Sequence, residues 1–247
     1  MKRLQTGALV FVLATGLAAQ SPEPPLAETR LTVHTLLRED VFAGFLSNDM
    51  NRFARAERNA VALLEQRPGE KGNLRAWQGG MALYRAVLAH EAGQAAEFQR
   101  LYQQARESFT EAGKATSGND GVAAIVGGSL AVFADRLPQE QRAAAWATVY
   151  DSYKMLYDGQ APALDKMPVH LRGEVVSGIA MAAQRTGRQE EAAQYLDKML
   201  TIMQGTPYEA TARQWKSDPA SASASALTCK SCHEAGRLSP SVARLSK

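Results

Sequence analysis

The stretch Leu74-Arg75-Ala76-Trp77-Gln78-Gly79-Gly80, followed by Phe98, Leu101 and Tyr102, decides the fold, because the chain writes it again forty-eight positions later. The shift lays Leu74 on Val122, Ala76 on Ala124, Gly79-Gly80 on Gly127-Gly128, Phe98 on Trp146, Leu101 on Val149 and Tyr102 on Tyr150. A period of this length holds one supersecondary unit, and stacked copies bury a face that one copy alone leaves open. Apolar residues within each copy recur at helical spacing, so the unit reads as two helices. The paired glycines let two helices approach closely, and the aromatic positions of the following helix are expected to fill the space beside them. A third, looser copy runs from Leu171-Arg172 through Gly178 to Tyr195.

On the N-terminal side, Leu36, Val41, Phe42, Phe45 and Leu46 form one stripe, and Ser47-Asn48-Asp49 ends that helix while offering a cap for the next. Phe53, Ala56, Ala60, Leu63 and Leu64 form a second stripe, stopped by Pro68-Gly69. Strand signals are almost absent. The fold class expected is all-α, with antiparallel helix pairs at 32–66, 73–112, 120–157 and 168–204. Thr206-Pro207-Tyr208-Glu209 predicts a capping box on a short closing helix, with Tyr208, Ala212 and Trp215 on its apolar face. The run from Asp218 to Ala226 is either a flexible tether or an alanine-rich helix capped by Asp218.

The segment Gly187-Arg188-Gln189-Glu190-Glu191-Ala192, followed by Tyr195, Leu196, Met199, Leu200 and Met203, resembles the tetratricopeptide repeat, in which a glycine-containing turn precedes Glu-Ala on a second helix. Trp77 and Tyr84 match that family's first-helix aromatic spacing. The resemblance covers roughly residues 40–215 and implies helix pairs stacked as a TPR-like solenoid, with a groove for a protein or peptide ligand. The period departs from the family's, which is about 34 residues, and Gly93 stands where the second repeat would carry alanine.

Composition narrows the function classes. With 45% hydrophobic and 21% charged residues the chain can bury a core and is not disordered over most of its length. Met1-Lys2-Arg3, the apolar run from Ala8 to Leu17, and the small residues Gly16-Leu17-Ala18-Ala19 predict a signal peptide cleaved near Ala18-Ala19 and a periplasmic location. The run is shorter than the ~20 residues of a spanning helix, so stable membrane insertion is not expected. Loss of Lys2 and Arg3 reduces the formal net charge of +3, and no basic block remains to hold nucleic acid. The organisation expected is a signal peptide over 1–19, a linker over 20–31, a TPR-like repeat domain over 32–216, and a linker with a c-type haem-binding tail over 217–247.

That tail carries the chemistry. Cys229-Lys230-Ser231-Cys232-His233 holds both cysteines of the chain, so the pair belongs to no wider disulfide framework. Cysteines three apart lie about one helical turn from each other, which presents both sulfurs to the two vinyl groups of one porphyrin. His233 then falls under the iron as proximal ligand, so the cofactor expected is one covalent haem c. A thioredoxin-like pair would need a βαβ setting, and a zinc site a fourth ligand. The tail is also similar to four-helix-bundle cytochromes c in Cys229-Lys230, Cys232-His233 and Arg237, with Gly236 where that class has an aromatic residue.

Fourteen residues follow His233, none of them methionine or histidine, so a sixth iron ligand is sought upstream. Met199 and Met203 lie on an apolar stripe and read as core; His90, Met155, Met81 and Met181 read as structural. Met167 and His170, in a long connection outside any helical register, are the candidates. An exposed haem edge on so short a tail would lower the reduction potential and favour electron exchange with a redox partner protein. No phosphate loop or nucleophile elbow is present, and Glu190-Glu191 reads as a solvated turn. An electron carrier is expected rather than an enzyme. The alternatives are a gas-binding or sensing haem protein with an open distal site, and a TPR-like interaction adaptor without redox function.

Overall fold

A computed structural model describes residues 25–115 and 120–223. Among these residues the chain is all-helical and forms no strand. Four pairs of consecutive helices pack against one another: α1 (Val33–Ser47) with α2 (Met50–Gln66), α3 (Lys71–Glu91) with α4 (Ala95–Ala115), α5 (Asp120–Phe133) with α6 (Gln139–Gln160), and α7 (Val169–Arg185) with α8 (Gln189–Ile202). Each corresponds to a pair read from the sequence, with ends shifted by a few residues. Connections of two or three residues in three of the pairs force the partners antiparallel. A closing helix, α9 (Pro207–Ser217), packs on α8. The signal-peptide region and the Cys229–His233 motif lie outside the described residues.

The turns follow from local chemistry. Asn48 sits in the left-handed region at φ 54°, and the next amide, Asp49 N, donates to Ala43 O to close α1. The Asp49 side chain then accepts from Arg52 N at 3.1 Å, capping α2 as expected. Gly93 and Gly187 hold φ of +72° and +76° at the α3–α4 and α7–α8 turns, so Gly93, a departure from the repeat family, is the residue its turn needs. Thr206 does not form the expected capping box. Its hydroxyl donates back to Met203 O, while Glu209 accepts from Gly205 N at 2.7 Å, one residue earlier than the box requires. Through Ser223 the segment after Asp218 is neither tether nor alanine helix: Pro219–Ser221 makes a single 3-10 turn, and buried Ala222 offers its carbonyl to Arg185 Nη2 at 2.8 Å.

Glycines set the close contacts, though not as the repeat predicted. A Cβ on Gly79 would strike Phe109 of α4, and one on Gly80 would strike Ser129 of α5, so the two serve different neighbours. Phe98 and Tyr102 do not fill that space; they stack on each other near the turn at 5.3 Å. Antiparallel geometry explains this, since a residue well before a turn meets one equally far beyond it. In the second copy Gly127 meets Ser152 instead. On α7, Gly178 lies against the Tyr153 ring of α6 and Gly173 against Tyr208 of α9.

Contacts run from each pair to the next, chiefly α3 on α5 and α6 on α7. One contact goes further. Phe45 of α1 meets Phe133 of α5 edge-on at 4.7 Å and Tyr84 of α3 at 5.3 Å, so the first pair also touches the third. The α1–α2 interface encloses Asp40, which receives Arg55 Nε and Nη2 at 2.6 and 2.7 Å and Arg52 Nε at 2.8 Å. Removing Asp40 takes the shared carboxylate from both arginines and costs about 3–5 kcal/mol, whereas removing Arg52 leaves Asp40 paired with Arg55. Arg67 ties down the segment before α1, donating to the carbonyls of Leu26, Glu28 and Leu31. No described helix is long and apolar enough to cross a membrane.

Candidate functional site

The first helices of the pairs, α1, α3, α5 and α7, point the same way, and their N-terminal ends converge around an apolar cavity of about 340 Å³. Val33 and His34 come from the first turn of α1, Ala124 and Ile125 from α5, and Leu156 from the end of α6. Met167, Leu171 and Val175 close the side formed by α7. Volume and lining suit a small-molecule or cofactor site, which typically spans roughly 300–1,000 Å³. Glu70 and Asp120 lie at helix starts, where partial positive charge on the free amides favours carboxylates, and Glu174 adds a third carboxylate from the second turn of α7.

Two polar groups in this wall are incompletely bonded. The Asn73 amide donates to Glu70 at 2.9 Å and the Gln160 amide to Asp120 at 3.2 Å, while both amide oxygens are shielded from solvent without a donor. An incoming donor group or an ordered water would satisfy them. His34 stands opposite α7 with its ring on Trp77, centroids 5.3 Å apart, and its Nε2 3.4 Å from Arg38 Nη1.

The two upstream ligand candidates part company here. The connection before α7 is not irregular, as the sequence suggested: Ala161–Lys166 is a 3-10 helix and His170 is already in the first turn of α7. Pro168 holds Met167 extended, at φ −72° and ψ 151°, and Met167 lines the cavity. His170 does not line it. Its ring lies 3.4 Å from Tyr208 Oη and 3.5 Å from Glu174. Met181, Met199 and Met203 are fully enclosed and Met81 nearly so, as core readings require. Met155 sits within α6 and is 48% exposed.

No protein-family model, no curated protein and no solved structure matches this chain. Its chemistry is therefore read from its own residues. Among the described residues no group of three or more His, Cys, Asp or Glu side chains stands together to hold a metal ion. Cys229, Cys232 and His233 lie outside those residues.

A second cluster corrects the solvated reading for Glu191, while Glu190 is exposed as expected. Glu191 accepts the Tyr150 hydroxyl at 2.6 Å, and the Arg188 guanidinium lies over the Tyr150 ring at 4.0 Å. Burial, reinforced by the carboxylate, pushes the Tyr150 phenol up to about 12. These three residues lock α8 to α6. Sequence reading missed both this lock and the cavity wall of His34, Asn73 and Gln160. The only signal for the wall was that successive first helices place their opening turns at one end.

Proposed function

We propose that this chain is an exported, periplasmic mono-haem c-type cytochrome acting in electron transfer. The haem is covalently attached at Cys229 and Cys232, with His233 as proximal axial ligand, and a TPR-like stack of helix pairs serves as the scaffold that docks it to a redox protein. The observation that carries this reading is the single Cys-x-x-Cys-His run in a chain with no other cysteine, behind a leader that supplies the export route. The haem supplies one-electron chemistry, and the protein's part is placement, partner choice and control of access to the iron. A second reading is a gas-binding or sensing protein with an open distal position, in keeping with residues 234–247, which include neither methionine nor histidine.

The test is production in an exporting host with c-type maturation, then the visible spectrum with and without carbon monoxide. One covalent haem per chain, absent from the Cys229→Ala/Cys232→Ala variant, and a sharp reduced α-band unmoved by carbon monoxide are the expected results. A carbon-monoxide-shifted spectrum moves the sensing reading ahead. Absence of covalent haem overturns both and leaves the interaction adaptor.

A further inference from the structure

We propose that the apolar cavity at the convergent helix starts binds a small organic ammonium compound, with its hydrocarbon body inside and its charged head among the acceptors of the wall. This site goes beyond the haem reading and does not depend on it. Val33, Ile125, Leu156, Leu171 and Val175 supply the apolar interior. The volume of about 340 Å³ lies near the lower end of the range for small-molecule sites, so the body is a single ring or a short chain. Glu70, Asp120 and Glu174 line the same cavity, and among the described residues no lysine or arginine does. Glu70 receives the Asn73 amide at 2.9 Å, Asp120 the Gln160 amide at 3.2 Å, and Glu174 faces the His170 imidazole at 3.5 Å.

The two amide oxygens set the polarity of the ligand. Each amide gives its NH₂ group to the neighbouring carboxylate, and a flip would set oxygen against oxygen, so the orientation is fixed. Asn73 Oδ1 and Gln160 Oε1 are thereby held out of solvent without a donor. The wall offers, twice over, a charged acceptor beside a neutral one, and an ammonium group brings both the opposite charge and several N–H donors. A carboxylate or phosphate would meet only acceptors there. Of the lining side chains among the described residues, only His34 is able to carry positive charge. Its Nε2 lies 3.4 Å from Arg38 Nη1, a group that can only donate, so Nε2 accepts and the ring is neutral. The acidic groups are also spread around the wall: among the described residues no three His, Cys, Asp or Glu side chains gather closely enough to hold a metal ion. Carboxylates set apart around an apolar interior suit a cation that carries a body.

The experiment is calorimetric titration of the full chain with 2-phenylethylamine, cyclohexylamine and hexylamine, each compared with the alcohol and the carboxylate that carry the same hydrocarbon body. At least one amine is expected to bind at a single site, with its alcohol at least about tenfold weaker and its carboxylate not bound. Glu70→Gln and Asp120→Asn keep shape and remove one charge each, and each should weaken the amine by about three- to tenfold. Glu190→Gln, which removes an exposed carboxylate at the start of α8, should leave binding unchanged. Ala124→Leu, which fills the cavity from the α5 wall, should abolish binding while keeping full helix content. An alcohol that binds as tightly as its amine, an equal loss in Glu190→Gln, or undiminished binding in Ala124→Leu overturns the assignment. Failure of all three amines to bind at millimolar concentration also overturns it and leaves the two oxygens to ordered water. Haem per chain is read separately on the same preparations, so failure of the haem reading and failure of this one are distinguishable.

Discussion

At the scale of single residues, glycine and its opposite number carry the close packing. Gly178 and Gly79 both face an aromatic ring, but the surroundings differ: Tyr153 is 3% exposed, whereas Phe109 is only partly buried and meets a Gly79 Cβ with its ring edge, beside the Ala105 carbonyl at 3.2 Å. Gly178→Ala should therefore cost about 1–3 kcal/mol by overpacking the α6–α7 contact. Gly79→Ala should cost less than Gly178→Ala, because the partly buried Phe109 ring can shift and alanine's better helix propensity offsets part of the loss, while the Ala105 carbonyl at 3.2 Å keeps the change destabilising. Urea midpoints of the two variants check the ranking, and equal losses would contradict it. The glycines themselves were legible as packing residues. Their partners were not, because a repeat alignment compares copies and does not report which residue an antiparallel neighbour brings opposite.

At the scale of elements, the α6–α8 lock ties a helix turn to a tyrosine more than one helix away in sequence. Tyr150 titrates above its ordinary value of about 10 because the phenolate would be buried and would face the Glu191 carboxylate. The native state therefore holds this proton more tightly than the unfolded chain does. The resulting stability is complete below about pH 10 and is lost as pH rises from there through about 12. Burial raises Tyr84, Tyr102 and Tyr195 as well, so ultraviolet titration should show several late tyrosines, of which the component near 12 disappears in Tyr150→Phe; a component near 12 persisting in that variant would reassign the shift. The same variant breaks a hydrogen bond to a charged acceptor and should lose about 1.5–3 kcal/mol. Helix existence and pairing were legible from periodicity and caps, since both depend on neighbours within a few positions. The lock and the failed capping box at Thr206 were not, because each depends on where another helix end lies.

At the scale of the whole molecule, the stack is not uniform. α3 packs against α1, α2, α4 and α5, whereas α8 packs chiefly against α7 and α9. The Phe45–Phe133 contact joins the first and third pairs around α3 and makes that region one cooperative block. Amide exchange should be slowest in α3 and α5 and should begin in α8 and α9, each opening at lower free energy than the block. Equal protection along the chain would mean that the long-range aromatic contact makes the entire molecule unfold as a unit. The cavity also belongs to this scale, since it exists only where four helix starts meet.

The amino-acid order alone determined that the chain is helical, where its pairs begin and end, and that Cys229, Cys232 and His233 stand in the spacing of a haem attachment site. These properties are local: they depend on periodicity, caps and the geometry of three to five consecutive residues. Only the tertiary structure separated Met167 from His170, since both lie in one short stretch and differ in which helix they face. It also decided that His34, more than a hundred residues away in sequence, shares a cavity with Met167. Such proximity comes from how the pairs stack, and stacking is set by side-chain contacts between helices that no single segment of sequence contains.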